Sequence, residues 1–546
     1  MRASSYNIIV PLPDSDKKLV FHGYTGAVDL VQPHVAELLC RGAPPPSGSQ
    51  ARVSAATIRA LARRGYLTDR SQAQEADYAA ELGRRVHRVV RRHAAPGVLV
   101  VPSYACNLRC TYCYEKHLQA KGTAWLSRRM TPEQADALLQ AAAALGGGSS
   151  PPRSLTFYGG EPFQQGNAPI VRYLYHRARE TGFRSFSAVT NGVELDRFKD
   201  LLGPNGKVAF LQITLDGPGE VHDSRRSLPG GQGTFARITA NISLALERGV
   251  RVSVRMNIDR SNADRVHEAH DFFRAQGWDR SSLFQAYCSP VHTDGACASG
   301  KGSCFASHLE MQQAVERNLS RRSPDPPGEY LHVASLTRSV QKRILEHLQQ
   351  RHGLPRWRTA FCGSNVSMVV FDPFGDIYPC WEVIGRPEHR IGTYGPESLE
   401  LDERAVGTWH GRSVVEIEEC RSCPYLFFCG GGCEAFALTR NGRPDSPHCL
   451  DFPGHFQAAA VHAFRQWQEI FATTGRKTAR RTAGPRTARG RRPGPSGQGA
   501  TRRPGSAARG HAEQSGPAGR GRTACGKAAH RRGTGRASGR VSGGLS

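Results

Sequence analysis

The sequence has no long apolar run and no export signal. None of its 546 residues belongs to a stretch of roughly 18 consecutive apolar residues, so the sequence predicts no membrane-spanning helix. The first residues carry the charged Arg2 but lack the apolar segment that a secretory signal needs. Its 15 cysteines are too few for a chain of this length that is held together by disulfides. We therefore expect a cytoplasmic protein with no membrane partner.

Acidic and aromatic residues are almost missing from the C-terminal part of the sequence. Residues 475–546 contain 18 Lys and Arg, one acidic residue (Glu513) and no Phe, Tyr or Trp. Such a segment cannot bury enough apolar surface to offset its ordering entropy, so we expect a disordered basic tail. The tail carries +17 of the formal net charge of +26, which leaves +9 for residues 1–474. The charge therefore does not favour nucleic acid as a partner.

The N-terminal region, residues 1–95, combines strand and helix patterns. Two strand-like runs, Tyr6–Leu12 and Lys18–Tyr24, are separated by a turn signal. Apolar residues then recur at helical spacing through Ala27–Leu39 and Ser54–Arg64. This order predicts a small winged-helix-like module.

The middle of the chain, residues 96–321, alternates strand and helix patterns through six units. Such alternation predicts an α/β fold with a parallel sheet, here a partial (βα)6 TIM-type barrel. Residues 322–355 are expected to form a linker and a helix, and residues 356–474 form a Cys- and Gly-rich domain of little periodicity. The six predicted strands are Val98–Tyr104, Ser154–Tyr158, Phe186–Thr190, Val208–Leu215, Arg251–Ile258 and Ser282–Tyr287.

Three cysteines directly follow the first of these strands. Cys106, Cys110 and Cys113 are spaced Cys-x3-Cys-x2-Cys on one short loop. A structural zinc site uses four closed ligands, whereas three thiolates on a [4Fe–4S] cluster leave one iron open to a further ligand. The spacing therefore favours an iron–sulfur cluster, with zinc and a distant fourth ligand as the alternative.

Polar residues follow the next strands at the same end of the predicted sheet. They are Gly160 and Glu161 after the second strand, Asn191 after the third, Thr214 and Arg226 after the fourth, and Arg255 and Asn257 on the fifth. In such folds ligands bind at the carboxyl ends of the strands. Glu161 can accept hydrogen bonds from an ammonium group, and Arg226 can bind a carboxylate. The pattern predicts a small-molecule site there.

The motifs CNLRCTYCYE, FYGGEP, VTNG, ITLDGPGEVHDSRR and VRMNID, in this order, resemble the radical SAM superfamily over about residues 96–310. The resemblance implies that the three cysteines ligate a [4Fe–4S] cluster whose open iron binds S-adenosylmethionine. It also implies that the cofactor is cleaved to a 5′-deoxyadenosyl radical. The cofactor contacts that it implies are Tyr112, Gly160, Glu161, Asn191, Thr214 and Arg226.

Seven further cysteines form a second array, whose spacing is similar to the SPASM extension of radical SAM peptide maturases. This resemblance implies two auxiliary [4Fe–4S] clusters, with two zinc ribbons as the alternative. It implies an outer set, Cys420, Cys423, Cys429 and Cys449, and an inner set, Cys362, Cys380 and Cys433.

The inner set has only three cysteines, since none lies between Cys362 and Cys380. One interpretation is an open iron that binds a substrate thiolate directly. The other is that one of three cysteines near the predicted substrate entrance completes the set. Those cysteines are Cys288, Cys297 and Cys304.

Taken together, the resemblances imply an oxidoreductase that matures a ribosomally made peptide, by crosslinking a cysteine thiol to a carbon. They imply a one-electron donor such as flavodoxin or ferredoxin as a partner. The N-terminal module is similar to peptide-recognition modules, which bind a leader peptide as an added strand, although a packing role is the alternative.

The sequence leaves two alternatives to peptide crosslinking open. One is a sulfatase-maturing oxidation of Cys or Ser to formylglycine, whose enzymes carry Asp just after the cysteine matching Cys380, where this chain has Trp381 and Glu382. The other is a non-catalytic iron–sulfur scaffold, against which the GGEP motif and Arg226 argue.

Overall fold

The largest element of the fold is an 11-stranded mixed sheet. A computed structural model describes residues 1–41, 53–146, 151–291, 304–305, 307–322, 328, 330–333, 336–350 and 357–482, with side chains to residue 471. Within the described part of the chain, no helix is both long and apolar enough to cross a membrane.

The strands are numbered in chain order. They are β1 Arg2–Ala3, β2 Asn7–Leu12, β3 Ser15–His22, β4 Val28–Val31, β5 Leu67–Thr68, β6 Gly97–Val100, β7 Ser154–Phe157, β8 Ser185–Thr190, β9 Val208–Thr214, β10 Arg251–Ile258, β11 Phe284–Pro290, β12 Leu331–Val333, β13 Met368–Phe371, β14 Asp376–Tyr378, β15 Gly392–Gly395 and β16 Ser398–Leu401.

The α-helices are numbered in the same way. They are α1 Pro33–Arg41, α2 Ala55–Arg64, α3 Gln72–His93, α4 Thr123–Leu126, α5 Pro132–Leu145, α6 Ala168–Glu180, α7 Gly219–Arg225, α8 Phe235–Glu247, α9 Val266–Ala275, α10 His308–Arg322, α11 Leu336–Gln349, α12 Glu403–His410, α13 Leu426–Cys429, α14 Glu434–Asn441 and α15 Phe452–Thr482.

The large sheet has the order β12-β11-β10-β9-β8-β7-β6-β13-β14-β15-β16. The strands from β12 to β13 in this order all run parallel, and β14 to β16 continue as an antiparallel meander. The α/β class and all six predicted strands are confirmed. The described strands do not close into a ring, and the partial barrel expected from the sequence stays a prediction.

Strand β12 is a correction to the sequence prediction. It lies in the region expected to hold only a linker and a helix, and it pairs with β11 in parallel. Three residues give too short a run for a pattern to be visible. The Pro-rich stretch at 323–327 lies outside the described residues, whereas the expected helix is present as α11.

The N-terminal region contains a three-stranded antiparallel sheet, β2-β3-β4. The predicted helix over Ala27–Leu39 is partly wrong, because Val28–Val31 pairs with β3 and the helix begins only at Pro33. The spacing of Val28, Val31 and Val35 fits a helix. However, the edge of β3 offers hydrogen-bond partners to the backbone of Val28–Val31, whereas the first N–H groups of a helix have no partner within the helix. Pro33 fits the first turn of α1, where its missing N–H costs nothing.

One face of this N-terminal sheet packs on helices from the C-terminal half. Apolar side chains of β2 and β3, such as Val10 and Phe21, share a buried cluster with Val340 and Ile344 of α11 and with Phe456 of α15. The described residues up to Arg481 therefore form one compact unit. The domain boundaries drawn from the sequence stay predictions.

Candidate functional site

The first cysteine loop leaves the end of β6 and crosses the carboxyl edge of the parallel strands. Buried Leu108 anchors it, and the N–H groups of Arg109 and Thr111 donate to the carbonyls of Ser227 and Arg225 at 2.9 and 3.1 Å. These contacts fold the loop so that its three cysteine side chains face the same space.

That space is a cavity of about 190 Å³ at the carboxyl ends of β7 to β10. Its lining contains the three cysteines and every cofactor contact implied by the sequence. The latter are Tyr112, Gly160, Glu161, Asn191, Thr214 and Arg226, and Arg255 and Asn257 join them. Strand ends far apart in the sequence thus meet around one volume.

Two glycines after β7 let the cysteine loop approach closely. A Cβ on Gly160 would lie 2.3 Å from the carbonyl oxygen of Tyr104 and 2.5 Å from that of Ala105. Gly159 has φ +109°, which a residue with a side chain rarely adopts. The N–H of Glu161 then donates to the carbonyl of Ala105 at 2.9 Å and fixes the contact.

Glu161 is buried and its carboxylate is held by three donors. The hydroxyl of Thr190 and the N–H of Phe163 donate to Oε1 at 2.6 and 2.8 Å, and the N–H of Asn191 donates to Oε2 at 2.6 Å. Burial raises the pKa of Glu161 to about 7, although these hydrogen bonds oppose the rise. A carboxylate offers about four acceptor positions, so one is left for a ligand.

Arg226 contributes a donor that lacks a partner in the described structure. Its Nη1 donates to the hydroxyl of Tyr112 at 2.9 Å, while its buried Nε has no partner. Tyr112 in turn donates to Asp216 and accepts from Asn257 at 3.1 Å. Arg226 lines the cavity, so its guanidinium fits an anionic group bound there.

Sequence reasoning missed Asp216 and Arg225, which organise this wall. Arg225 lies 3.3 Å from the carboxylate of Asp216 and 3.0 Å from that of Asp259, and its guanidinium stacks 4.9 Å from the centre of the Tyr112 ring. The adjacent residues Arg225 and Arg226 therefore have different roles, because Arg225 binds carboxylates of the protein whereas Arg226 lines the cavity. The double arginine in SRR was the available signal.

The donor set fits a cluster with an open iron. Cys106, Cys110 and Cys113 carry free thiols. Burial raises the pKa of all three, that of Cys113 to about 12, so thiolates there need a positive partner such as iron. All three line the same cavity, and three thiolates leave one iron of a [4Fe–4S] cluster open.

The opposite wall of the cavity is acidic and was not predicted. Tyr114 OH lies 2.8 Å from Glu115 Oε1 and 2.9 Å from Tyr158 OH. Burial raises the pKa of Glu115 to about 7, with a smaller contribution from Glu382. Glu382 and Trp381 also line the cavity, and the Trp381 ring centre is 6.0 Å from that of Tyr158.

The second cysteine array divides into two groups by mutual charge interactions. In one group the charge of Cys380 interacts with those of Cys433 and Cys362. The other group is Cys420, Cys423, Cys429 and Cys449. These groups have the same members as the inner and outer sets implied by the resemblance, and their role as cluster ligands stays a prediction.

Glycines shape the turn that separates the two sets. Gly430, Gly431 and Gly432 follow Cys429 and precede Cys433, and all three have positive φ, from 76° to 88°. A Cβ on Gly432 would lie 1.9 Å from the carbonyl oxygen of His448. Only glycine therefore lets Cys429 and Cys433 join different sets.

The inner set adjoins the cavity. The charge of Glu382, which lines the cavity, interacts with those of Cys380 and Cys433. Cys288, by contrast, is buried in the core on β11, and burial alone raises its pKa to about 12, with no contribution from another cysteine. The structure gives no support for Cys288 as a further ligand. Cys304 is disulfide-bonded, and Cys297 lies outside the described residues.

Comparison with known proteins identifies a matching family model and related sequences. Residues 100–273 match the model of the radical SAM superfamily. The subtilosin biosynthesis protein AlbA of Bacillus subtilis is 24% identical over 348 residues, which cover 62% of this chain and 67% of AlbA. A serine-type anaerobic sulfatase-maturating enzyme of Bacteroides thetaiotaomicron is 24% identical over 400 residues, which cover 67% of this chain and 89% of that enzyme.

Solved structures agree in fold. A structure of native anSMEcpe with bound AdoMet matches 69% of this chain and 100% of its own, with a TM-score of 0.51 and 17% identity. A second one holds AdoMet and the Kp18Cys peptide and matches with a TM-score of 0.50 and 16% identity.

Proposed function

This chain belongs to the radical SAM superfamily, and we propose that it cleaves S-adenosylmethionine and uses the resulting radical to modify a ribosomally made peptide. The observation that carries the proposal is the single cavity shared by the three cysteines and the six implied cofactor contacts. Polar groups from four strands rarely converge on three thiols for packing reasons alone.

The roles of the cavity residues follow from their contacts. Cys106, Cys110 and Cys113 would hold the cluster, which when bound supplies the electron that cleaves the cofactor. The free acceptor position of Glu161 suits the cofactor's ammonium group, and the guanidinium of Arg226, which lines the cavity, suits its carboxylate. Tyr112, held by Asp216, keeps the guanidinium of Arg226 in place.

The walls also keep water out. Glu161, Asn191, Thr214 and Arg226 are each less than a tenth exposed. A radical that abstracts hydrogen from carbon needs such a dry site, and the protein's contribution is orientation and exclusion.

The C-terminal array is proposed to hold two auxiliary [4Fe–4S] clusters. Two groups of free thiols, one of four and one of three, support this reading over two zinc ribbons, because a closed zinc site would need four ligands in both. The inner set adjoins the cavity, so an open iron there could bind a substrate thiolate.

The reaction that these features favour is thioether crosslinking at a cysteine of the substrate. The likeness to AlbA, a subtilosin biosynthesis protein, supports a peptide substrate. Formylglycine-type oxidation is the second candidate, which the likeness to sulfatase-maturating enzymes favours. Trp381 and Glu382 after Cys380 count against it, because relatives of that kind have Asp directly after the matching cysteine.

Two macromolecular partners complete the proposal. The outer edge of β2 in the sheet β2-β3-β4 pairs with no other described strand and could accept a leader peptide as an added strand. A flavodoxin or ferredoxin would deliver the electron.

The test is to incubate the anaerobically reconstituted enzyme with the cofactor, a reductant and a short cysteine-bearing precursor peptide encoded beside this gene. Mass spectrometry should show a peptide lighter by two hydrogens and without a free thiol. A peptide that carries a new aldehyde would instead support formylglycine formation. If the cofactor is cleaved but the peptide is unchanged, the result would count against this peptide as the substrate.

A further inference from the structure

Arg412 is a buried cation between the two C-terminal cysteine sets. It follows α12 and is only 5% exposed. All four of its hydrogen bonds go to backbone carbonyls. Their oxygens belong to Pro444 at 2.7 Å, Gly432 at 3.0 Å, Gly431 at 3.2 Å and Ser446 at 2.8 Å. It makes no ion pair with a described carboxylate.

A buried guanidinium without an anionic partner is costly. Carbonyl dipoles satisfy its N–H groups, but removing the charge from water costs several kcal/mol unless an opposite charge compensates. Glu434 also interacts with this charge, yet it lies beyond the 4.0 Å limit of an ion pair, and its Oε2 accepts a bond from Asn365. Glu434 therefore supplies the largest attraction to this charge without forming an ion pair, and cysteines of both sets contribute next.

The hydrogen bonds of Arg412 place it between the two sets, because Gly431 and Gly432 lie in the turn from Cys429 of the outer set to Cys433 of the inner set. Its charge attracts thiolates of both sets. It interacts with Cys433 and Cys362 of the inner set and with Cys420 of the outer set.

Arg358 is placed in a similar way: its backbone N–H donates to the carbonyl of Phe427, two residues before Cys429, and its guanidinium donates to the carbonyl of Phe361, next to Cys362. Its charge also attracts Cys429 of the outer set and Cys362 of the inner set. Arg358 packs 5.0 Å from the ring centre of Phe361 and also makes no ion pair with a described carboxylate.

We propose that Arg412 and Arg358 are shared counter-charges that raise the reduction potentials of both auxiliary clusters. A [4Fe–4S] cluster with thiolate ligands carries net negative charge, which increases on reduction, so a nearby fixed cation stabilises the reduced form. Because each arginine lies near both sets, one side chain acts on two clusters. This inference rests on the auxiliary clusters of the proposed function.

The test separates the effect of the charge of Arg412 on the cluster potentials from the effect of its hydrogen bonds. Arg412→Gln removes the charge, whereas Arg412→Lys keeps it but loses most of the contacts to carbonyls. The matched control is Arg421→Gln, because Arg421 adjoins Cys420 in sequence but is 44% exposed and lies 3.9 Å from Glu416. Each holoenzyme is titrated with reductant and followed by electron paramagnetic resonance, and its iron is counted. The first cluster is recognised by the change of its signal when S-adenosylmethionine is added.

The expected result is a shift of both auxiliary potentials to more negative values in Arg412→Gln, with the first cluster unchanged. Arg412→Lys should stay near the wild type, and Arg421→Gln should show no shift. Unshifted potentials in an Arg412→Gln protein with full iron would overturn the inference, as would equal shifts in the Lys and Gln variants.

Two further outcomes separate this inference from the proposed function. If the wild type binds only about four irons, the auxiliary clusters themselves are absent and the proposed function is what fails. If the wild type binds about 12 irons but Arg412→Gln loses them, Arg358→Gln carries the same prediction. Unshifted potentials in that variant would then refute the shared counter-charge.

Discussion

The cavity at Cys106 and the two cysteine sets around Arg412 are built in different ways. In the first region, functional side chains follow parallel strands, so the regular sheet positions them. In the second, three glycines of positive φ and a guanidinium bound to four carbonyls hold the cysteines. The first site depends on the core of the fold, whereas the second depends on local turns and a buried charge.

The largest expected effect lies in the first region. Cys110→Ala should abolish 5′-deoxyadenosine formation, because two thiolates do not hold a cluster with one open iron. The matched control is Cys288→Ala, which removes a core thiol at a cost of about 1 kcal/mol of stability and should leave cleavage intact. Liquid chromatography with mass spectrometry measures the product. Continued product formation by the Cys110 variant would refute the assignment of the first cluster.

Glu161→Gln should weaken cofactor binding without removing the cluster. The change neutralises the carboxylate and turns an N–H₂ group toward the donors of Thr190 or Asn191. Hydrogen bonds to a charged group contribute about 1.5–3 kcal/mol, so the dissociation constant for S-adenosylmethionine should rise roughly 10–100-fold. Calorimetry measures it, with the exposed Glu180→Gln as control. An unchanged constant in the Glu161 variant would exclude the ammonium contact.

A smaller effect on cleavage is expected in the second region. Replacing Cys429 and Cys449 together by Ala should lower bound iron from about 12 to about eight per chain, because the two thiolates that are left do not hold the outer cluster. Cofactor cleavage at the first cluster should persist. Cys40→Ala, which removes an exposed thiol on α1, is the control and should keep all the iron. Iron that stays at the wild-type level in the double variant would remove Cys429 and Cys449 from the outer set.

The smallest effect is expected outside both regions. Deleting residues 475–546 removes +17 of charge and no aromatic residue, so 5′-deoxyadenosine formation should stay within about twofold of the full chain. The rate of the truncated enzyme is compared with that of the full chain at equal iron content. Loss of cleavage at equal iron would assign the tail a role in catalysis.

The sequence predicted the first region well because its signals are local. Each of the six strands is visible in the sequence as a run of mostly apolar residues. The parallel sheet then fixes the position of the residue that follows each strand. The strand ends therefore predict that Gly160, Glu161 and Asn191 lie together, and all three line the cavity. The N-terminal helix over Ala27–Leu39 was partly wrong for the opposite reason, since pairing of β4 with β3 is a tertiary contact that no spacing reveals.

The rest of the site depends on contacts between distant residues. Asp216, Arg225, Glu115 and Glu382 lie in motifs that the sequence displays, yet their roles depend on which partners the fold supplies. Arg412 gives no signal at all in the sequence, because an arginine after an amphipathic helix is ordinarily on the surface. Its burial follows from the turns at Gly431 and Ser446 that surround it.

The most direct test of the central claim is the reaction of the wild-type enzyme with S-adenosylmethionine and a one-electron reductant. With iron fully loaded under anaerobic conditions, the account predicts 5′-deoxyadenosine and methionine in equal amounts. A fully loaded enzyme that binds the cofactor but forms neither product would contradict it.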